Sequence, residues 1–294
     1  METTAPTISA FIATAWNDHA DDARGVAERL PQGLTLLDAD PAQAAAFVHL
    51  AEHVLLGHLG DGAAMQRLAD GLQHHAGGQA TLQAALDRSA MAVRLLRGES
   101  ADTAAVSPVN AVRAHATAAL GRAARRDADG ARALMRSATA LTDAAVGDND
   151  ALKSLAAGWN NLAGQLQGEA RHPATDPLMM EAALRSREVW AVAGTWLNVE
   201  RADYFLARCA ATLGDGAQAL RHAQSCMAIC LANDADAFER FFAHESLGEA
   251  FVVQRDTDAA HRELAQMREL MADVGDDNRT YCQSCIAKLA ATLA

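Results

Sequence analysis

The sequence predicts an all-α fold, a solenoid of antiparallel helix pairs, and three observations carry that reading. Half of the 294 residues are hydrophobic but only 4% are aromatic. Much of the apolar content is therefore alanine, a strong helix former small enough for close helix packing. Strand-favouring residues never gather into alternating runs joined by hairpin turns. The breaks between periodic segments repeat their chemistry along the chain.

Prolines stand at 6, 31, 41, 108, 173 and 177 and nowhere later. An interior proline costs a helix about 3 kcal/mol, so the chain beyond Pro177 is free to run as nearly continuous helix. The earlier prolines read as punctuation. Asp40-Pro41 and Ser107-Pro108 each set a capping side chain before a proline at the first helical position. Leu59-Gly60-Asp61-Gly62 returns as Leu213-Gly214-Asp215-Gly216, a helix end on glycine followed by an aspartate that caps the next helix. Arg126-Asp127-Ala128-Asp129 and Arg255-Asp256-Thr257-Asp258 form a second matched pair. Val146-Gly147-Asp148 and Val274-Gly275-Asp276 form a third.

These breaks predict helix pairs near 7–30, 41–75, 112–146, 151–193, 196–233 and 238–274. A helix near 79–97 has no obvious mate. A closing helix over 278–293 offers Cys282, Cys285, Ile286, Leu289 and Leu293 as one apolar face, as the end of a helical array requires. Gly98 to Val106 and Gly168 to Asp176 read as long loops. Residues 1–294 are expected to form one array, with 1–110 the least regular part.

Within 241–274, Phe241, Leu247, Gly248, Phe251, Asp256, Ala260, Leu264 and Met267 fall where the tetratricopeptide repeat has its large-small pair, aromatic, turn and second-helix contacts. Residues 200–233 resemble the same motif through Leu206, Ala207, Gly214, Asp215 and Ala219. Trp159, Leu162, Ala163 and Leu166 resemble its first helix, and 112–146 matches through Ala119, Asp127 and Ala131. The chain thus resembles the tetratricopeptide-repeat superfamily over about 112–274. It departs from the pattern in two ways. Asp215 and Asp256 lie 41 residues apart, against a usual repeat of about 34, and no proline closes a repeat after Pro177. Lengthened repeats of this kind are similar to those of bacterial regulatory proteins that bind peptides or small molecules.

The resemblance implies a right-handed α–α superhelix whose first helices line a concave groove, and a non-enzymatic scaffold that binds protein or peptide there. In that register the groove residues are Asn160, Gln167, Arg201, Tyr204, Arg208, Phe242, Glu245 and Glu249. Arg201 and Arg208 would pair a carboxylate bidentately, Asn160 would hold an extended backbone, and Tyr204 or Phe242 would stack on an apolar side chain. Trp159, Trp190 and Trp196 fall in the same region; Trp159 and Trp196 equally suit helix packing. The family's two-lysine, two-asparagine carboxylate clamp has no counterpart at these positions, so chaperone-tail binding is not expected.

Composition narrows the partners. The formal net charge is −12 and the pI about 5.3, with Arg125-Arg126 an isolated basic pair, which gives no footprint for nucleic acid or an anionic membrane. Met1 to Ala10 carry Glu2 and no basic residue, unlike a secretory signal. Five cysteines, an odd number, suit a reducing compartment. A cytoplasmic location is expected, and a homodimer is left open.

Two constellations have metal-ligand spacing. His49-Leu50-Ala51-Glu52-His53 fits the H-x-x-E-H zinc peptidase signature. On a helix, however, Phe47, Leu50, Ala51, Val54 and Leu55 form the buried stripe, so His49 and His53 are expected on the solvated outer face. His222, Cys226 and Cys230, at one-turn spacing, suit a soft metal. Ala219, Ala223, Cys226, Met227 and Cys230 also make one apolar face, and core packing is the expected role. Cys282-x-x-Cys285 lacks the βαβ setting of a thiol oxidoreductase. No phosphate loop, dinucleotide fingerprint or nucleophile elbow is present, and neither a cofactor nor catalysis is expected.

Overall fold

The computed structural model describes residues 7–75, 77, 79–144 and 147–294, and these form an all-α structure with no strands among them. The chain divides into two compact units, Met1–Gln165 and Leu166–Ala294. No helix among the described residues is long and apolar enough to cross a membrane.

In the first unit the order is α1 (Ile8–Asp18), α2 (Ala23–Leu37), a 3-10 turn at Pro41–Gln43, and α3 (Ala44–Ala51), which continues into a π-helical segment, Glu52–His58. Then come α4 (Gly62–Leu72), α5 (Ala80–Arg97), α6 (Pro108–Ala124), α7 (Ala128–Ala144) and α8 (Asn149–Gly168), whose first part belongs to this unit. The second unit holds α9 (Asp176–Ala193), α10 (Trp196–Thr212), α11 (Gly216–Ala232), α12 (Ala237–Gln254), α13 (Thr257–Leu270) and α14 (Asp276–Leu293). Consecutive helices pack on one another: α5 on α6 and α6 on α7 in the first unit, α9 through α13 in turn in the second.

The repeated turns have a common stereochemistry. Gly60 and Gly214 take positive φ, 60° and 77°, where glycine carries no Cβ penalty. Asp61 and Asp215 then accept from the backbone N–H of Ala64 and Gln218. Arg126 and Arg255 share a left-handed backbone at φ 61° and 64°, and Asp127 and Asp256 cap α7 and α13 through Gly130 and Ala259. Each such cap stabilises its helix by about 1 kcal/mol. The third pair differs: Gly147 has φ 89° while Gly275 has φ −59°, and Val146 lies outside the described residues. Ser107 caps α6 as expected, whereas Asp40 precedes only a 3-10 turn and makes no capping bond.

Two expectations are corrected. Pro31 does not end a helix but lies inside α2, which runs on to Leu37. Val26, Leu30, Gly33 and Leu37 form a buried stripe through it, and this burial offsets the missing hydrogen bond. The helix at 79–97 is not mateless, for α5 packs against both α4 and α6. Close approach in the first unit is made at Gly121 of α6, where a Cβ would lie 2.5 Å from the Leu56 carbonyl oxygen. The first core runs from Ile8 through Phe47, Leu56, Met65 and Leu96 to Ala118. In the second unit, Phe241, Leu264, Met267, Cys282 and Leu289 share one cluster.

Candidate functional site

In the second unit α10 and α12 pack side by side, and α14 packs on α12. Their facing side chains, with Gln167 of α8, line an open-mouthed cavity of about 280 Å³. The Tyr204 hydroxyl of α10 donates to Glu245 Oε2 of α12 at 2.7 Å and accepts from Arg208 Nη1 at 3.1 Å. One turn on, Arg208 Nε stands 3.3 Å from Glu249 Oε2. Burial pushes the Tyr204 phenol well above its ordinary value. It also raises the Glu249 carboxyl, against the opposing pull of Arg208.

Gln167, Arg208, Glu245 and Glu249 of the expected groove set line this cavity. Tyr204 and Phe242 do not line it: Tyr204 bonds to Arg208 and Glu245, which do, and the buried Phe242 ring stands edge-on to Tyr204 at 5.6 Å and 5.9 Å from Tyr281. Arg201 is not among the lining residues. Both of its guanidinium bonds go to Glu239 of α12, one of them 3.2 Å from Nε to Oε2, so its charge is matched by the protein's own carboxylate. Asn160 belongs to α8 in the first unit. Trp159 is 2% exposed and packs in the core, while Trp196 is 39% exposed.

Sequence reasoning missed the contribution of α14. Tyr281, Cys285, Lys288 and Thr292 form the fourth side of the cavity, though the helix reads only as a terminal cap. The signal was its amphipathic face, with Tyr281, Cys285 and Lys288 one turn apart.

The cysteine constellation is rearranged. His222 turns to Asp203, with Nδ1 3.1 Å from Oδ1, and Arg187 and Ser225 bond the same carboxylate. The third donor beside Cys226 and Cys230 is Glu200 of α10, not His222. Glu200 Oε1 accepts from Cys226 Sγ at 2.8 Å and from Cys230 Sγ at 3.5 Å. Glu200 is 1% exposed, and its Oε2 has no hydrogen-bond partner. Burial raises this carboxyl to about 7, although the thiol bonds pull the other way. Cys282 and Cys285 lie buried against the Phe241–Met267 cluster.

In the first unit Glu52 is not placed to act as a general base. It is buried and accepts from Arg88 Nη2 at 2.5 Å and from Ser89 Oγ at 2.6 Å. His49 is exposed, as expected for the outer face. His53 is not simply solvated. Its ring stands 5.1 Å from Trp16, 4.9 Å from His19 and 4.8 Å from His58. His49, Glu52, His53, Arg113, Lys153 and Asn161 are among the residues around a second cavity of about 350 Å³.

No family model matches the chain. No curated protein matches it either.

Proposed function

We propose that the chain is a non-enzymatic binding scaffold of tetratricopeptide-like type, and that it takes an extended segment of a protein or peptide across α10, α12 and α14. The observation that carries this reading is the open-mouthed cavity lined by Gln167, Arg208, Glu245 and Glu249 together with α14. Its volume, about 280 Å³, has room for a side chain of an extended partner, and its open mouth leaves the flanking backbone outside. Lys288 offers a positive charge there, Arg208 and Glu249 present an ion pair at its wall, and Val252, Val253 and Leu289 give it an apolar side. A site of this kind, built on packed helices, loses little ordering entropy on binding. Five buried free thiols support work in a reducing compartment such as the cytoplasm.

The test is selection from a random peptide library against the wild type and against Thr292→Trp, which fills the cavity mouth from an exposed position on α14. Peptides enriched by the wild type and lost by the folded variant support the groove. Equal enrichment by both rejects it.

A second reading is favoured by the orphaned Glu200 Oε2 beside two thiols. Glu200, Cys226 and Cys230 would then sense a soft metal, the thiols losing their protons on binding. Thiolate-to-metal absorption on adding cobalt(II), abolished in Cys226→Ser, supports it; a silent spectrum removes it.

A further inference from the structure

We propose that His19, His53 and His58 form a three-imidazole site for a divalent transition metal of the zinc class. The nitrogens of these residues come within 4.8 Å of one another, and His53 Nε2 and His58 Nε2 are 3.1 Å apart. Ring centroids are separated by 4.9, 5.3 and 4.8 Å, with interplanar angles of 66°, 67° and 87°. Steeply tilted rings with converging nitrogens are not a stack. They suit donors sharing one ion at about 2.0–2.1 Å each.

The backbone is shaped to make this meeting. His53 and His58 are five residues apart, and on an α-helix such residues point about 140° away from each other. Between Glu52 and His58 the chain instead runs as a π-helix, with Leu59 N–H reaching the Val54 carbonyl at 3.1 Å. That wider turn brings positions five apart towards one face. π-Helical turns are rare and concentrate at functional sites, and here the departure from α geometry carries both histidines to one point.

His19 arrives from the end of α1 already oriented. Its Nδ1 lies 2.7 Å from the Trp16 carbonyl oxygen. The proton held on Nδ1 by that contact leaves the Nε2 lone pair for a metal, the arrangement by which outer-shell carbonyls fix ligand histidines. The Trp16 ring covers His53 and His19 at 5.1 Å each, while His53 also borders the larger cavity beside Arg113 and Lys153. Three protein ligands leave a fourth position to water or an anion.

The experiment uses the untagged full chain, stripped with chelator and titrated with zinc(II) by calorimetry and with cobalt(II) by absorption. One saturable ion is expected at this site, with the visible bands of tetrahedral nitrogen coordination and a zinc-induced rise in melting temperature. His58→Gln and His19→Gln should weaken binding at least tenfold and abolish the rise in melting temperature, while circular dichroism stays unchanged. His74→Ala/His75→Ala removes the more exposed set of Asp38, His74 and His75 and should leave binding intact. No uptake by the wild type overturns the site, as does binding lost in the His74/His75 variant but kept in His58→Gln. Thiolate absorption lost with Cys226→Ser, with uptake unchanged in His19→Gln and His58→Gln, would place the ion in the second unit and overturn the proposal. Should His58→Gln fail to fold, His19→Gln, at the end of α1, decides between these outcomes.

Discussion

Tyr204 on α10 and Glu245 on α12 face each other from helices that α11 separates along the chain. The hydroxyl of one reaches the carboxylate of the other at 2.7 Å across 41 residues, the interval that also separates the capping aspartates Asp215 and Asp256. Arg208 and Glu249 stand at that interval too. Side chains at equivalent positions thus bond to each other along the α10–α12 face, and the cavity lies beside them.

Tyr204→Phe removes the donor and leaves Glu245, 4% exposed, without its partner. An unsatisfied buried acceptor costs about 1–3 kcal/mol, so urea unfolding should show a loss of that size. A change within the error of the measurement would mean that water replaces the hydroxyl.

Glu52→Ala strands the Arg88 guanidinium, which is bonded to both carboxylate oxygens. Breaking a buried pair from one side costs about 3–5 kcal/mol. Replacing both residues, Glu52→Ala with Arg88→Met, should recover part of the loss. The same denaturation series checks both, and a harmless single substitution would contradict the buried pairing.

Acid should weaken the first unit through its histidines. His53 falls from an ordinary value of 6.5 to about 3 in the folded chain, so between these values the unfolded chain binds more protons and stability drops as pH falls. The contribution is complete above about 6.5 and is lost progressively towards 3. Unfolding measured in steps from pH 7.5 to 5 should show this slope, and His53→Gln should flatten it.

Glu200 carries the opposite sign. Its folded value is raised from 4.5 to about 7, so its contribution is whole below about 4.5 and is lost as pH rises through 7. Glu200→Gln, which cannot ionise, should gain on the wild type with rising pH, by on the order of 2 kcal/mol between pH 5 and pH 8. A stability difference independent of pH would show that the carboxyl is not held protonated.

Most helices were legible because their ends are written locally: the Gly60-Asp61 and Gly214-Asp215 turns, the Arg126-Asp127 and Arg255-Asp256 turns, and the cap at Ser107 all depend on neighbours within four residues. The π-helix was not. Val54, Leu55, Leu56 and Gly57 are all buried, and a segment apolar on every side gives no periodicity from which a one-residue change of register can be read. His58 was therefore missed beside His53, and His19 enters from another helix. Arg201 shows the reverse problem. An arginine that faces a ligand and one that pairs with Glu239, 38 residues away, have the same sequence spacing until the fold is known. Likewise Glu200 and His222 lie on different helices, and Asp203 rather than periodicity decides which of them joins the cysteines.

Backbone amide exchange with and without a peptide selected by the wild type tests the groove most directly. Slowed exchange should be confined to α10, α12 and α14, with the peptide's affinity falling at least tenfold in Thr292→Trp. Protection elsewhere, with those three helices unchanged, would contradict the assignment.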